Sequence, residues 1–154
     1  MKSAAPIRFA AVLCAAAAAG CGGGPGGGTR VHEAGEMEIT ARLLEVPDGA
    51  IIRRELYDYA TVLAYEVLAT HRGDLAPGAR IFVAHYNPWK PRWQAADRWV
   101  AGIGGNVRRF RPGAIHRMAL LAPLEDHVMG GVVDKYPGRR DGPVYWGVWT
   151  DEAK

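Results

Sequence analysis

The sequence predicts a mainly β fold, a small five-stranded barrel, from three observations. Several short segments alternate apolar and polar residues with the period of two that a half-buried strand requires. Gly, Pro and Asp cluster between these segments, where tight turns are expected. One longer interruption, rich in proline and glycine, separates the third of these segments from the fourth.

The first three predicted strands follow one another closely. Residues 37–43 alternate strictly and end at the turn residues 47–49, Pro-Asp-Gly. Residues 59–68 form a longer strand that is rich in β-branched and aromatic side chains. Residues 80–86 are apolar on both faces, which predicts a central strand.

The chain then leaves the strand pattern and returns to it twice. Two prolines break residues 87–91, and residues 94–100 are long enough for a short helix that the following glycines end. Residues 114–122 predict the fourth strand and residues 144–149 the fifth, with a long loop between them. Five strands with a short helix or loop between strands 3 and 4 predict an OB-like barrel. A β-sandwich is the alternative, but its seven or so strands are hard to find.

One hairpin in this pattern resembles a known group of domains. Residues 65–83 contain a strand, Gly-Asp-Leu, Pro-Gly and a second strand. This order resembles secreted OB-type domains of the netrin and metalloproteinase-inhibitor kind, although their cysteines are missing here. Val83-Ala84-His85-Tyr86, with the Tyr-Trp strand near the C-terminus, also looks like an uncharacterised family of secreted bacterial domains. The first resemblance implies the fold alone. The second implies an association with envelope and exopolysaccharide gene clusters, and it carries no known catalytic residues.

The first twenty residues predict an export signal. Lys2 and Arg8 are positive, and residues 9–19 form an uncharged apolar run that ends in small side chains. This run is shorter than the roughly 20 apolar residues that cross a bilayer. Residues 1–20 are therefore predicted to be a signal peptide rather than a transmembrane anchor.

The residues around the predicted cleavage site indicate a lipoprotein. Ala18-Ala19-Gly20-Cys21 resembles the lipobox of bacterial lipoproteins, although this family usually has Leu where Ala18 stands. The resemblance implies cleavage before Cys21 and a lipid on its thiol. Cys14 also follows an aliphatic pair, but cleavage there leaves only a short apolar run before the cut. An ordinary signal peptide cut near Ala19 or Gly20 is the alternative.

The residues that follow support the same interpretation and define the predicted domains. Residues 22–28, GGGPGGG, have the composition of a flexible tether. Residues 21–30 are predicted to be the lipidated cysteine and tether, and residues 31–154 a single β-rich domain. The predicted location is the periplasmic side of a membrane. In a Gram-negative host the resemblance favours the outer membrane, because no Asp follows the cysteine.

Composition excludes several functions. Removal of Lys2 and Arg8 with the signal peptide lowers the net charge from +3 to +1, so a nucleic-acid partner loses its support. Ser3 is the only serine and leaves as well, which excludes a serine hydrolase. Lipidation of Cys21 would consume the one remaining thiol, which leaves no disulfide and no cysteine nucleophile.

Neither the histidines nor the glycines form a recognisable catalytic motif. None of the five histidines has the spacing of a zinc site, and adjacent residues such as 125–127, Glu-Asp-His, rarely converge on one ion. The carboxylates are scattered, so no acid/base pair stands out. Residues 102–105, GIGG, match no phosphate-binding motif. We therefore expect no metal, no cofactor and no catalytic residue, and an enzyme is less favoured. His85 is expected to be a structural histidine.

A run of aromatic and cationic residues is the strongest candidate for a binding surface. Aromatic faces stack on sugar rings, and arginine binds carboxylate or phosphate through two parallel hydrogen bonds. The predicted binding residues are Tyr86, Trp89, Lys90, Arg92, Trp93, Arg98, Arg108, Arg109 and Arg111. The alternative is that the tryptophans cap the barrel as core residues and the arginines pair with nearby carboxylates.

These observations favour a lipid-anchored envelope protein that acts as a non-enzymatic binding or accessory module. Its predicted partners are the membrane, through the lipid on Cys21, and an acidic glycan or an envelope protein. Acidic lipid headgroups are a further possible target of the arginines. The alternatives are a small hydrolase or transferase that uses His85 or His127 with a carboxylate, and a structural lipoprotein of a larger envelope assembly.

Overall fold

A computed structural model describes residues 34–48, 58–127, 130–139 and 141–154. The predicted signal peptide, Cys21 and the glycine-rich tether lie outside the described residues. The strands are β1 (Met37–Glu45), β2 (Tyr59–Arg72), β3 (Arg80–Tyr86), β4 (Gly104–Gly105), β5 (Ile115–Leu121), β6 (Gly131–Val133) and β7 (Val144–Glu152). Two single 3-10 turns complete the elements, at Arg92–Gln94 and at Leu124–Asp126.

Five of these strands close into a barrel. The strand β1 pairs with β2 and with β5, both antiparallel, and β2 pairs antiparallel with β3. The circle closes because β7 lies parallel to β3 and antiparallel to β5. The predicted mainly β fold and small five-stranded OB-like barrel are therefore confirmed, and the β-sandwich alternative is wrong. Each predicted strand matches one barrel strand.

The predicted short helix over residues 94–100 is wrong, and the loop alternative is right. Only Arg92–Gln94 forms a 3-10 turn, which ends at the first residue of the predicted helix. The Asp97 carboxylate accepts hydrogen bonds from the backbone N–H groups of Trp99 and Val100, at 2.8 and 2.9 Å. Such local side-chain bonds compete with helical backbone bonds, which explains why the segment turns instead of continuing as a helix.

Two short strands were not predicted. The strand β4 pairs parallel with β7 next to the barrel. There the positive φ of +124° at Gly105 suits glycine, and a Cβ would collide with the Thr150 carbonyl. The strand β6 pairs parallel with the start of β2 and lies within the segment predicted to be a long loop. Both strands are too short to show a period of two.

Alternate residues of the barrel strands point inward and form the first of two cores. Its members come from all the long strands except β7, and Val107 and Phe110 join them from the β4–β5 connection. Tyr145 of β7 packs against this core, and Gly147 of the same strand faces the buried His85 ring. The strand members are Ile39, Ala41, Leu43, Leu63, Tyr65, Val67, Ile81, Val83, Met118 and Leu120.

The second core covers the outer face of the barrel at β2, β3 and β7. The outward residues of these strands are buried by two connections, which contribute Ala95 and Ile103 on one side and Leu124 and Tyr136 on the other. The predicted burial of both faces of β3 is therefore confirmed. In OB-type barrels the face formed by the second and third strands commonly binds ligands. Here the chain's own loops cover that face.

Gly147 tests how tightly the barrel interior is packed. A Cβ at this position would lie 2.8 Å from Cε1 and Nδ1 of His85 and 3.3 Å from Cγ1 of Val83. Both neighbours are fully buried. We expect Gly147→Ala to lower the free energy of unfolding by roughly 1–3 kcal/mol, the usual cost of overpacking. Urea denaturation of the purified protein measures this change.

The matched control is Gly102→Ala, because nothing lies within 4 Å of a Cβ built on Gly102. We expect this variant to unfold at the wild-type urea concentration. Equal stability of Gly147→Ala and wild type would contradict the packing described for the barrel interior.

Candidate functional site

One end of the barrel interior holds a polar cluster instead of aliphatic side chains. The Tyr65 hydroxyl oxygen lies 3.1 Å from Nε2 of His85 and 3.4 Å from Nδ1 of His116. All three side chains are buried. Because a hydroxyl has one hydrogen, Tyr65 donates to one imidazole and accepts an N–H from the other. The expected structural role of His85 fits its position inside the barrel.

Burial keeps the cluster's two histidines uncharged at neutral pH. It lowers the pKa of His85 well below its ordinary value, and the positive charge of Arg92 adds to this effect. Burial also lowers the pKa of His116 to about 4, against a smaller opposing effect of the Glu152 carboxylate. The pKa of Tyr65 is raised by burial, so its hydroxyl keeps its proton.

Arg92 lies near this cluster, at the same end of the barrel. Its side chain is 0% exposed, and its guanidinium Nη1 donates to the Tyr86 carbonyl at 2.6 Å. Its backbone N–H donates to the Val107 carbonyl at 2.9 Å. Burial lowers the pKa of Arg92 to about 10, so it still carries its charge at neutral pH. None of the ion pairs between described residues includes this guanidinium.

Phe110 separates the cluster from the solvent at this end of the barrel. Its ring centroid lies 4.5 Å from that of His85 and 5.5 Å from that of His116. The Arg92 guanidinium carbon lies 5.9 Å from the same ring centroid, within cation–π distance. The Arg92 and Phe110 side chains therefore close the barrel end together.

A surface pocket of about 770 Å³ lies at this end of the barrel. Two of its lining residues locate the pocket at this end. Glu152 of β7 pairs with His116 of β5, and Ala114 directly precedes β5. Its other walls come from the segment after β3 and from the segment around Phe110. The lining residues are Trp89, Pro91, Arg108, Arg109, Arg111, Ala114 and Glu152.

Four of the nine predicted binding residues line this one pocket: Trp89, Arg108, Arg109 and Arg111. Trp89 is half-buried and packs on Tyr59, with ring centroids 4.7 Å apart, so its position is fixed. All three arginines are exposed. They take no part in the ion pairs that the structure shows between described residues. Their guanidinium groups therefore give the pocket an excess of positive charge over the single carboxylate of Glu152.

The other five predicted binding residues lie elsewhere. Tyr86 and Arg92 are buried and add no exposed surface. Lys90 pairs with Asp58 at 3.1 Å, and its ammonium lies 5.7 Å from the Trp89 ring centroid. Trp93 and Arg98 are exposed but do not line the pocket.

Sequence reasoning expected the structural role of His85, but it missed the other two members of the cluster, Tyr65 and His116, and part of the pocket. His116 shares the inward phase of Met118 and Leu120 along its strand, a signal that would have placed it inside the barrel. Tyr65 lies in phase with Leu63 and Val67 in the same way. The pocket carboxylate, Glu152, lies beyond the predicted end of the fifth strand, so no sequence pattern placed it beside the arginines.

The structure also locates the residues of the catalytic alternative. His127 is exposed and follows the Leu124–Asp126 turn, whereas His85 is enclosed in the barrel. Within the described ranges no three His, Cys, Asp or Glu side chains group closely enough to hold a metal ion. In the same ranges, no helix has the length and apolarity needed to cross a bilayer.

No protein family, curated protein or solved structure matches the chain.

The two buried histidines make stability depend on pH. An unfolded histidine has a pKa of about 6.5, and both values are lower in the fold. Because the unfolded chain then binds more protons, this contribution to stability is complete above pH 6.5. It falls as the pH decreases towards the folded value of about 4. We expect His116 to cost about 1–2 kcal/mol between pH 7 and pH 5, and His85 to add a loss in the same direction. Urea denaturation at both pH values measures the loss.

Two variants separate these histidines from other titrating groups. His116→Gln retains hydrogen-bonding atoms but cannot be protonated, so its stability should fall about 1–2 kcal/mol less than wild type over this range. His71→Gln is the control, because His71 is exposed and contacts Thr40 on the outside. Its free energy of unfolding should fall between pH 7 and pH 5 by as much as that of wild type. If His116→Gln and wild type lose the same free energy of unfolding over this range, His116 is not a source of the pH dependence.

Proposed function

We propose that the chain is a lipid-anchored, non-enzymatic binding module of the bacterial cell envelope, and that its barrel-end pocket holds an acidic glycan. The observation that carries this proposal is the lining of the pocket, where three arginines and Trp89 surround one concave space. Concave sites of roughly 300–1,000 Å³ are typical of small-ligand binding, and the volume here falls within that range.

Each part of the lining has a chemical role in this proposal. A guanidinium can hold a uronic acid carboxylate through two parallel hydrogen bonds, which also selects its orientation. The Trp89 ring offers an apolar face to the C–H groups of a sugar ring. The buried charge of Arg92 lies next to this lining and adds to the attraction for an anion. The Glu152 carboxylate repels a second acidic group, which favours a ligand whose charge is confined to one side.

A catalytic role has weaker support. The chain's one serine lies in the predicted signal peptide, and the catalytic alternative then depends on His85 or His127. His85 is enclosed, with Tyr65 as its hydrogen-bond partner, and a substrate does not reach it without opening the barrel. His127 lies outside the pocket lining. Binding without chemistry is therefore the simpler function for this site.

The arginines of the pocket should determine its affinity for acidic sugars. Arg109→Ala removes one charge-assisted interaction, worth about 1.5–3 kcal/mol, so we expect roughly 10–100-fold weaker binding. The ligand is a uronic-acid oligosaccharide, the reference is its carboxyl-reduced neutral form, and isothermal titration calorimetry measures both. Arg109→Lys should restore only part of the affinity, because an ammonium cannot form the paired contact.

Arg80→Ala is the matched control for the loss of one positive charge. Arg80 is exposed and begins β3, whereas the pocket lies near the end of that strand. This variant should bind like wild type. If Arg109→Ala binds like wild type, or if the neutral oligosaccharide binds as tightly as the acidic one, the pocket proposal fails.

The proposed anchor is tested at its cysteine. In cells that process lipoproteins, Cys21→Ser should abolish labelling of the protein by a palmitate analogue. Cys14→Ser is the control, because the alternative lipobox would need that residue instead, and it should be labelled like wild type. Loss of label in Cys14→Ser, or retained label in Cys21→Ser, would contradict the proposed anchor.

A further inference from the structure

Two tryptophans stand out from the apolar residues that face the solvent. Among the described residues, the exposed large hydrophobic side chains are Leu44, Trp93, Trp99 and Val132, at 39%, 56%, 74% and 39% exposure. Trp93 and Trp99 belong to one connection, between β3 and β4, and neither lines the pocket. Residues 93–99 are called the exposed tryptophan segment below.

The exposed tryptophan segment is held in place by the fold. The Asp97 carboxylate accepts the backbone N–H of Trp99 at 2.8 Å, and the buried Tyr86 hydroxyl donates to the same carboxylate at 2.8 Å. On either side of Asp97, Ala95 is buried in the outer core and Val100 packs against it. Trp99 is therefore presented to solvent by an ordered backbone, and little entropy would be lost when a partner binds it.

The chemistry of the segment fits the headgroup region of a lipid bilayer. The Arg98 guanidinium carbon lies 4.7 Å from the Trp99 ring centroid, so one face of the indole is already covered by a cation. A sugar that stacked on that face would have to displace the guanidinium. A membrane interface instead favours the combination that is present, an amphipathic indole beside a positive charge that attracts anionic headgroups.

The start of the described chain lies on the same outer core. Ala34 packs against this core, as Val100 does. If Cys21 carries lipid as proposed, the anchor lies only thirteen positions before Ala34 in the chain. A second contact with the bilayer would add to the membrane affinity that the lipid supplies.

We infer that the exposed tryptophan segment is a second membrane contact, at which Trp93, Trp99 and Arg98 dock onto an anionic lipid surface. Docking there leaves the residues of the pocket lining uninvolved. Lipid contact and glycan binding are then separate properties of the domain, and each can be measured without the other.

Vesicle co-sedimentation tests this contact on the protein without its lipid, as a chain that begins at Gly22. All members of both cores lie between Ala34 and Trp149, so this chain retains them. The probe is vesicles of phosphatidylglycerol and phosphatidylethanolamine, compared with neutral phosphatidylcholine. We expect binding to the anionic vesicles, and about tenfold weaker partitioning for the double variant Trp93→Ala/Trp99→Ala. Arg98→Ala should reduce the preference for anionic over neutral vesicles.

Leu44→Ala and Arg80→Ala are the matched controls for exposed apolar area and for charge, and both should partition like wild type. Each variant is also titrated with the uronic-acid oligosaccharide. The inference is overturned if wild type does not bind the anionic vesicles, or if the double tryptophan variant partitions like wild type. It is also overturned if the double variant loses oligosaccharide binding, because the segment would then belong to the glycan site. If Arg109→Ala does not weaken oligosaccharide binding, the proposed glycan site fails and the proposed lipid contact is unaffected.

Discussion

Arg92 enters the end of the barrel as a charged side chain without a carboxylate partner among the described residues. Burying a charge in this way costs free energy unless other contacts offset the lost hydration. Here the guanidinium donates to the Tyr86 carbonyl and lies on the Phe110 ring, and the backbone of Arg92 bonds to Val107. These contacts join the segment after β3 to the segment before β5, which are the two main walls of the pocket.

The pocket depends on this junction. Trp89 and Pro91 precede Arg92 directly, and the three pocket arginines surround Phe110 in sequence. A displacement of Arg92 would therefore move both walls, and it would expose the cluster beneath Phe110. The histidines of that cluster stay neutral because of burial and, for His85, the neighbouring positive charge. The contacts of Arg92 and Phe110 thus cover the barrel end, keep the histidines buried and hold the two walls of the pocket in position.

The barrel itself could be predicted from the sequence because each long strand has a period of two or a continuous apolar run. Both patterns are formed by residues that are close together in the sequence, and Gly and Pro mark the turns between the strands. The helix prediction over residues 94–100 failed because the Asp97 side chain competes for backbone N–H groups. The strands β4 and β6 were missed because two or three residues are too few to show a pattern.

The binding site could be predicted only in part. The clustering of tryptophan and arginine indicated the right region of the chain, and four of its residues meet at the pocket. Composition does not distinguish an arginine that faces solvent from one inside the barrel, so Arg92 was placed with the exposed residues. Glu152 and His116 come from distant strands, and only the register of β5 with β7 brings them to this end.

An NMR titration tests the central claim, that an acidic ligand occupies the barrel-end pocket, most directly. Each of the five tryptophans contributes one indole N–H signal, and these residues lie in three different environments. Addition of the uronic-acid oligosaccharide should shift the Trp89 signal, while those of exposed Trp93 and Trp99 and of buried Trp146 stay in place. Shifts at Trp93 or Trp99 with none at Trp89 would contradict the account.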